Sequence, residues 1–251
     1  DQGLVLYALA TAYADKPDEE LKRVIIKIVD RLLDRAKNGT LDNKSFIRGF
    51  SLKSLMTCVR VLDYEPALKL AELTVKIVFS ENPLFTPDNT FKHGGHMHGN
   101  LRTLVGAADY ALYVKDPVLY SRVDALYRYV RSEATRFGFL PEVIGRKGDI
   151  VGTETCALMD YVGLAVTLAN HGHPEYWGDV ERVVRNQLVE SQARDLLWLK
   201  ADSSKPDTEQ FSWRDIGQRM AGGWAGWSSP THFLAACENL QWGGPELRGK
   251  T

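Results

Sequence analysis

The chain has 251 residues, 44% hydrophobic and 25% charged, the proportions of a globular protein with enough apolar material for one large core. Lys plus Arg number 31 against 32 for Asp plus Glu, a net charge of −1, so there is no basic excess to draw the chain to nucleic acid or to an anionic membrane. No apolar run reaches the roughly eighteen residues of a membrane span, and three scattered cysteines, Cys58, Cys156 and Cys237, are too few for a disulfide framework.

The N-terminus, Asp1-Gln2-Gly3, carries no basic-then-apolar leader and no Met, so it reads as trimmed, and the compartment (bacterial cytoplasm, periplasm or secreted) stays open. From there four similar junctions punctuate the chain: Asp15-Lys-Pro17, Tyr64-Glu-Pro66, Lys115-Asp-Pro117 and Gly172-His-Pro174, with prolines 49, 51 and 57 residues apart. An apolar stretch precedes each and an amphipathic one follows, which predicts a tight turn with Pro in the first turn of the second helix. Residues 21–33 place Leu21, Val24, Ile25, Ile28, Val29, Leu32 and Leu33 on one stripe, closed by Asn38-Gly39 as a C-terminal cap. Residues 117–131 repeat the pattern with Val118, Leu119, Val123, Leu126, Tyr127 and Val130, leaving Arg122, Asp124 and Arg128 on other faces. Residues 156–169 are apolar almost all round, as expected of an enclosed helix.

An inner apolar helix followed by an outer amphipathic one, at a period near fifty, fits an α-solenoid or a closed α/α toroid. The links between hairpins, 38–48, 81–96 and 136–153, are long and rich in special residues, which favours the toroid, with its site built from loops at one end. The expected fold is therefore all-α, an (α/α)6 toroid in a single domain over 1–251. Six hairpins need about 300 residues at this spacing. Four are visible over 1–193, so the barrel reads as incomplete. Residues 194–251 hold Trp198, Trp213, Trp224, Trp227 and Trp242 among many glycines, which suggests a long loop or short strands across a site mouth.

The chemistry-bearing residues cluster in the links. His93-Gly-Gly-His96-Met-His98-Gly-Asn100 puts three histidines at the entrance of the third inner helix, where neutral imidazole could bind metal or hydrogen-bond sugar hydroxyls. At a spacing of two, His96 and His98 do not share a helical face, so they are not a ligand pair on one regular helix. The alternative is a Gly-rich turn whose histidines satisfy local backbone. In Phe137-Gly-Phe-Leu-Pro-Glu142, apolar neighbours are expected to desolvate Glu142 and suit it to donating a proton, unless it is a solvated loop residue. Gly152-Thr-Glu-Thr-Cys156 sets a carboxylate and a thiol two residues apart at a helix start. Thr153 or Thr155 could cap that helix, while Glu154 and Cys156 suit a soft metal such as zinc. The alternative is a capped helix with Cys156 packed inward. Trp224 and Trp227 in Gly222-Gly-Trp-Ala-Gly-Trp-Ser-Ser-Pro230 offer flat platforms for sugar rings. Ser228 and Ser229 lack a Gly-x-Ser-x-Gly elbow, which speaks against serine hydrolysis.

Together these residues resemble the catalytic domain of the family 127 glycoside hydrolases, the bacterial β-L-arabinofuranosidases. The resemblance is densest in Phe139-Leu-Pro-Glu142, in Gly152-Thr-Glu-Thr-Cys-Ala157 with Asp160, and in Tyr176-Trp-Gly-Asp-Val-Glu-Arg-Val-Val-Arg-Asn-Gln187; His96-Met-His98 with Gly106-Ala-Ala-Asp109 is a weaker match. The resemblance implies a toroid that releases terminal sugars from an oligosaccharide or glycan with retention. In the members of that family a cysteine thiolate held by zinc attacks the anomeric carbon and a glutamate serves as acid and base, and the resemblance implies the same here. Glu154 and Cys156 match two zinc ligands, and Glu142 lies near the place of the acid/base, though the loop between them is shorter than in the arabinofuranosidases. His96, His98, Trp224 and Trp227 would face the sugar. The family's adjacent Cys-Cys pair does not occur here; either Trp227-Ser228 replaces it or it lies past Thr251. On the second view, the one favoured here, the 251 residues are expected to be inactive alone and to bind zinc weakly or not at all. Two alternatives remain: a metal-independent epimerase or uronyl hydrolase centred on His96, His98 and Asp109, or a helical-repeat binding module. A homodimer is left open.

Overall fold

The structure is a computed structural model that describes residues 2–41, 51–92, 95–144, 152–192, 194, 207–208, 215–224, 226–228, 233–235 and 247–248. Four helical hairpins follow one another: α1 (Gln2–Asp15) with α2 (Glu19–Lys37), α3 (Ser51–Leu62) with α4 (Glu65–Lys76), α5 (Met97–Val114) with α6 (Pro117–Glu133), and α7 (Thr155–Asn170) with α8 (Trp177–Val183). Wider π turns prolong α4 over Ile77–Glu81 and α8 over Val184–Leu188.

Local chemistry explains where the outer helices begin and end. The Asp18 carboxylate accepts the Leu21 N–H at 2.8 Å, Glu19 and Glu20 follow in the first turn, and Arg35 and Lys37 close the last, so charges oppose the helix dipole at both ends. Asn38 then caps α2 and Gly39 turns the chain with a φ of +66°. In α6, Asp116 accepts the N–H groups of Val118 and Leu119 while Pro117 opens the helix, where a missing N–H costs nothing. Pro66 sits equally early in α4. Pro17 instead precedes the cap Asp18, and Pro174 opens a short 3-10 turn ahead of α8.

The expected division into inner and outer helices is present. Helices α1, α3, α5 and α7 pack on one another in that order, each backed by the outer helix that follows it. They run parallel: the Ser54 hydroxyl donates to the Gly3 carbonyl, and the start of α5 faces the start of α7. The core between the layers contains Leu6, Leu55, Met56, Leu101, Leu104, Tyr161 and Leu164, all essentially inaccessible. Three positions on the outer faces depart from the expected stripes. Val118 is 78% exposed, Val24 is at the surface, and Asp124 is buried because it accepts the Tyr176 hydroxyl.

Short strands gather where the inner helices begin. β1 (Gly95–His96) pairs antiparallel with β2 (Val143–Ile144), and a second antiparallel sheet runs β3 (Thr153–Glu154), β4 (Trp227–Ser228), β5 (Phe233–Ala235), β6 (Leu247–Arg248). A one-turn helix, α9 (Ile216–Met220), precedes β4. Among the described residues no helix is long and apolar enough to cross a membrane. His93, Trp198, Trp213, Ser229, Cys237 and Trp242 lie outside the described residues.

Candidate active site

The two small sheets fix the backbone of the site. In the first, His96 stands opposite Val143, and Glu142 is clipped on both sides: its carbonyl accepts the Met97 N–H and its own N–H donates to the Gly152 carbonyl, each at 2.8 Å. The long link 134–152 is thereby tied to the starts of α5 and α7. In the second sheet, Glu154 stands opposite Trp227 and Thr153 opposite Ser228, while the Thr155 N–H donates to the Gly226 carbonyl at 3.3 Å. That bond occupies one of the amides a helix start leaves without an intrahelical acceptor. Neither threonine caps α7: Glu154 takes the cap position without a side-chain capping bond, and Thr153 is drawn into β3. The expectation of a threonine cap is thus corrected.

Freed from capping, the Glu154 carboxylate gathers the site. His96 Nε2 lies 3.1 Å from its Oε2, and the Cys156 thiol donates to the same oxygen at 3.3 Å. Two donor sets share it. His98, Glu154 and Cys156 offer ligand atoms all within 4.8 Å of one another, and so do His96, Glu142 and Glu154. Beneath them His98 Nε2 lies 3.4 Å from Asp160 Oδ2, Arg102 binds Asp160 Oδ1 at 3.1 Å, and the Arg102 guanidinium rests 4.5 Å over the Tyr7 ring.

Burial and charge set the protonation of these groups. Burial works to raise the Glu154 carboxyl, but His96 and the Cys156 thiol, with His98 behind them, outweigh it and hold the group below its ordinary value. The hydrogen bond to Glu154 raises His96, against the opposing effect of burial. Burial pushes His98 the other way, to about 4, and the neighbouring Arg102 adds to the effect. Near neutral pH the site therefore presents an anionic Glu154 and a neutral His98, and of the two imidazoles His96 is the one whose protonated form is favoured.

Of the residues singled out in the sequence, Glu142, Glu154, Cys156, His96 and His98 meet at one end of the helical layers. Trp227 enters through backbone pairing opposite Glu154, and half-buried Trp224 bridges to Gln192. Asp109 does not join them. It pairs with Arg60, and eleven helical residues put it about 16 Å along α5 from His98. Arg102 is an addition, and Asp160, which the sequence offered only within the resemblance, is its partner. Their signal was an acidic residue one turn beyond Cys156 on an otherwise apolar helix and a basic residue one turn beyond His98, a pairing that becomes visible only when α5 and α7 meet. The cavity of about 350 Å³ against Arg131, Asp179 and Arg182 is lined by none of the clustered donors.

The fold is that of the α/α toroids, of which the described residues provide four hairpins. No family model and no curated protein sequence matches the chain. Among solved structures it is similar to a family 127 β-arabinofuranosidase (16% identity, TM-score 0.59), with 76% of this chain and 33% of that one covered. It is also similar to the unsaturated glucuronyl hydrolase of Bacillus sp. GL1 (11%, TM-score 0.62; 77% and 62% covered). A third is the cellobiose 2-epimerase of Spirochaeta thermophila DSM 6192 (14%, TM-score 0.62; 91% and 61% covered). The chain thus spans between a third and three fifths of the length of these structures.

Proposed function

We propose that the chain belongs to a carbohydrate-processing enzyme, a glycoside hydrolase that releases terminal sugars with retention in the manner of a β-L-arabinofuranosidase. The observation that carries this is the meeting of Glu142, Glu154 and His96 within 4.8 Å at the end of the inner helices, on a fold shared with enzymes whose names are those of sugar hydrolases and epimerases. Glu142 gives its proton to the glycosidic oxygen as the bond to the anomeric carbon breaks. In the second half it takes the proton of the water that displaces the enzyme. Glu154 is not the nucleophile: His96 and Cys156 occupy it, and with Cys156 it is assigned to zinc. When bound, zinc supplies a means of holding a cysteine as thiolate. The sequence has no adjacent Cys-Cys pair, so the attacking thiolate is placed outside it. His96, Trp224 and Trp227 are assigned to the sugar.

The test is turnover of an aryl arabinofuranoside and of arabinose-capped oligosaccharides by the whole protein. Glu142→Gln is expected to lower the rate by about 10²–10⁴-fold. An unaffected Glu142→Gln variant, or release of no terminal sugar from any such substrate, overturns the reading. Cys156→Ser separates it from the metal-independent alternative, in which histidines or an aspartate move the proton and the thiol is silent.

A further inference from the structure

We propose that His98 is a metal ligand rather than a sugar contact, and that His98, Glu154 and Cys156 form a zinc site contained within this chain. The inference rests on the reading above only in taking Glu154 and Cys156 as ligands; it does not require glycosidase activity. It also reverses the sequence-based expectation of weak or absent zinc.

The donors suit the ion in type and placement. A thiolate, an imidazole and a carboxylate are the three ligand kinds zinc takes, and three protein ligands with a fourth position open is the arrangement of reactive zinc sites. Tetrahedral bonds of 2.0–2.3 Å set neighbouring donor atoms roughly 3.3–3.7 Å apart. Cys156 Sγ and Glu154 Oε2 already stand at 3.3 Å, and the whole set fits within 4.8 Å, so side-chain rotation of about 1 Å completes the geometry. Charge balances as well. Carboxylate and thiolate at the start of α7 are favoured by its dipole, and together they neutralise a divalent cation that a bare helix start would repel.

His98 is also built as a ligand in its surroundings. Asp160, 5% exposed, lies 3.4 Å from His98 Nε2 and is itself fixed by Arg102, the arrangement of a carboxylate that orients a ligating imidazole. With its side chain 12% exposed, His98 is poorly placed to reach a sugar, whereas His96 is half-exposed. The competing set, His96 with Glu142 and Glu154, has no sulfur and would use the proposed acid/base as a ligand.

The chain is stripped of metal and titrated with Zn²⁺ against a chelator, and in parallel with Co²⁺, whose bond to sulfur gives a charge-transfer band in the near ultraviolet. One metal per chain and that band are expected. His98→Ala is expected to weaken binding by about 100-fold and alter the cobalt spectrum, with Asp160→Asn weakening it about 10–100-fold while keeping the band. Cys156→Ser is expected to abolish the band. Far-UV circular dichroism checks that each variant is folded. Should His98→Ala fold poorly, His98→Asn with Asp160 intact reads the same loss. Binding unchanged in the His98 variants, no metal bound by the wild-type chain, or metal lost through His96→Ala and Glu142→Gln but not Cys156→Ser overturns the proposal. Failure of sugar release with zinc bound, or turnover by the metal-stripped protein, sinks only the zinc-dependent glycosidase reading, whereas the absence of bound metal in the titration sinks only this one.

Discussion

Two of the cysteines lie among the described residues, and their surroundings divide them. Cys58 is fully enclosed in α3, and burial pushes its thiol up to about 12, so near pH 8 only about one part in ten thousand is thiolate. Iodoacetamide followed by peptide mass mapping should leave Cys58 unmodified in the folded chain and modify it once the chain is unfolded. Cys156, though also buried, touches a carboxylate instead of hydrocarbon alone. This difference was only half legible. The sequence shows Glu154 and Cys156 two residues apart at a helix start, but two threonines compete there for the cap. What decides the matter is a strand from residues 227–228, which pairs with Thr153 and Glu154 and removes Thr153 from the helix end. Contacts made by chain some seventy residues away are not encoded in the local pattern.

At the scale of the helix, periodicity located the hairpins and their inner and outer members, because burying one apolar stripe or all of a surface leaves a direct imprint on the sequence. It misplaced Asp124, since a carboxylate on a helical wheel reads as solvated until its partner is known. That partner is Tyr176, whose hydroxyl donates at 2.6 Å, with Arg128 at 3.1 Å. A second buried acid at this junction, Asp179, accepts the Tyr127 hydroxyl at 2.9 Å and ion-pairs with Arg131 and Arg182. Tyr176 and Asp179 both belong to the segment 176–187 that carries part of the family resemblance, and here they brace α6 against α8. Asp179→Ala should therefore lower stability by about 2–4 kcal/mol in urea denaturation, less than the full cost of breaking a buried pair because both guanidiniums reach solvent. Tyr127→Phe, which removes the hydrogen bonds of its hydroxyl with Asp179 and Tyr161 and keeps the 5.1 Å stack on Tyr161, should cost about 1–2 kcal/mol.

Across the whole molecule, the site depends on how the inner helices are staggered. His96 faces Glu154 and Arg102 faces Asp160, so α5 and α7 begin level. Gly106, nine residues into α5, meets Leu52 and Lys53 at the start of α3, which sets α3 back by roughly 10 Å. This contact has no slack. A Cβ on Gly106 would lie 2.4 Å from the Lys53 nitrogen and 2.7 Å from the Leu52 carbonyl carbon, and backbone cannot swing aside as a side chain can. Gly106→Ala must push α5 away from α3 or slide it along. Because α5 carries His98 and α7 carries Glu154 and Cys156, the displacement should register at the site as well as in stability. We expect a loss of about 1–3 kcal/mol in urea denaturation, together with a weaker cobalt–thiolate band. Gly163→Ala in α7 is the matched control. Its Cβ meets nothing within 4 Å, so the better helix former should leave the band unchanged and raise stability by about 0.5–1 kcal/mol. If both variants behave alike, the packing of α5 on α3 does not govern the placement of the site.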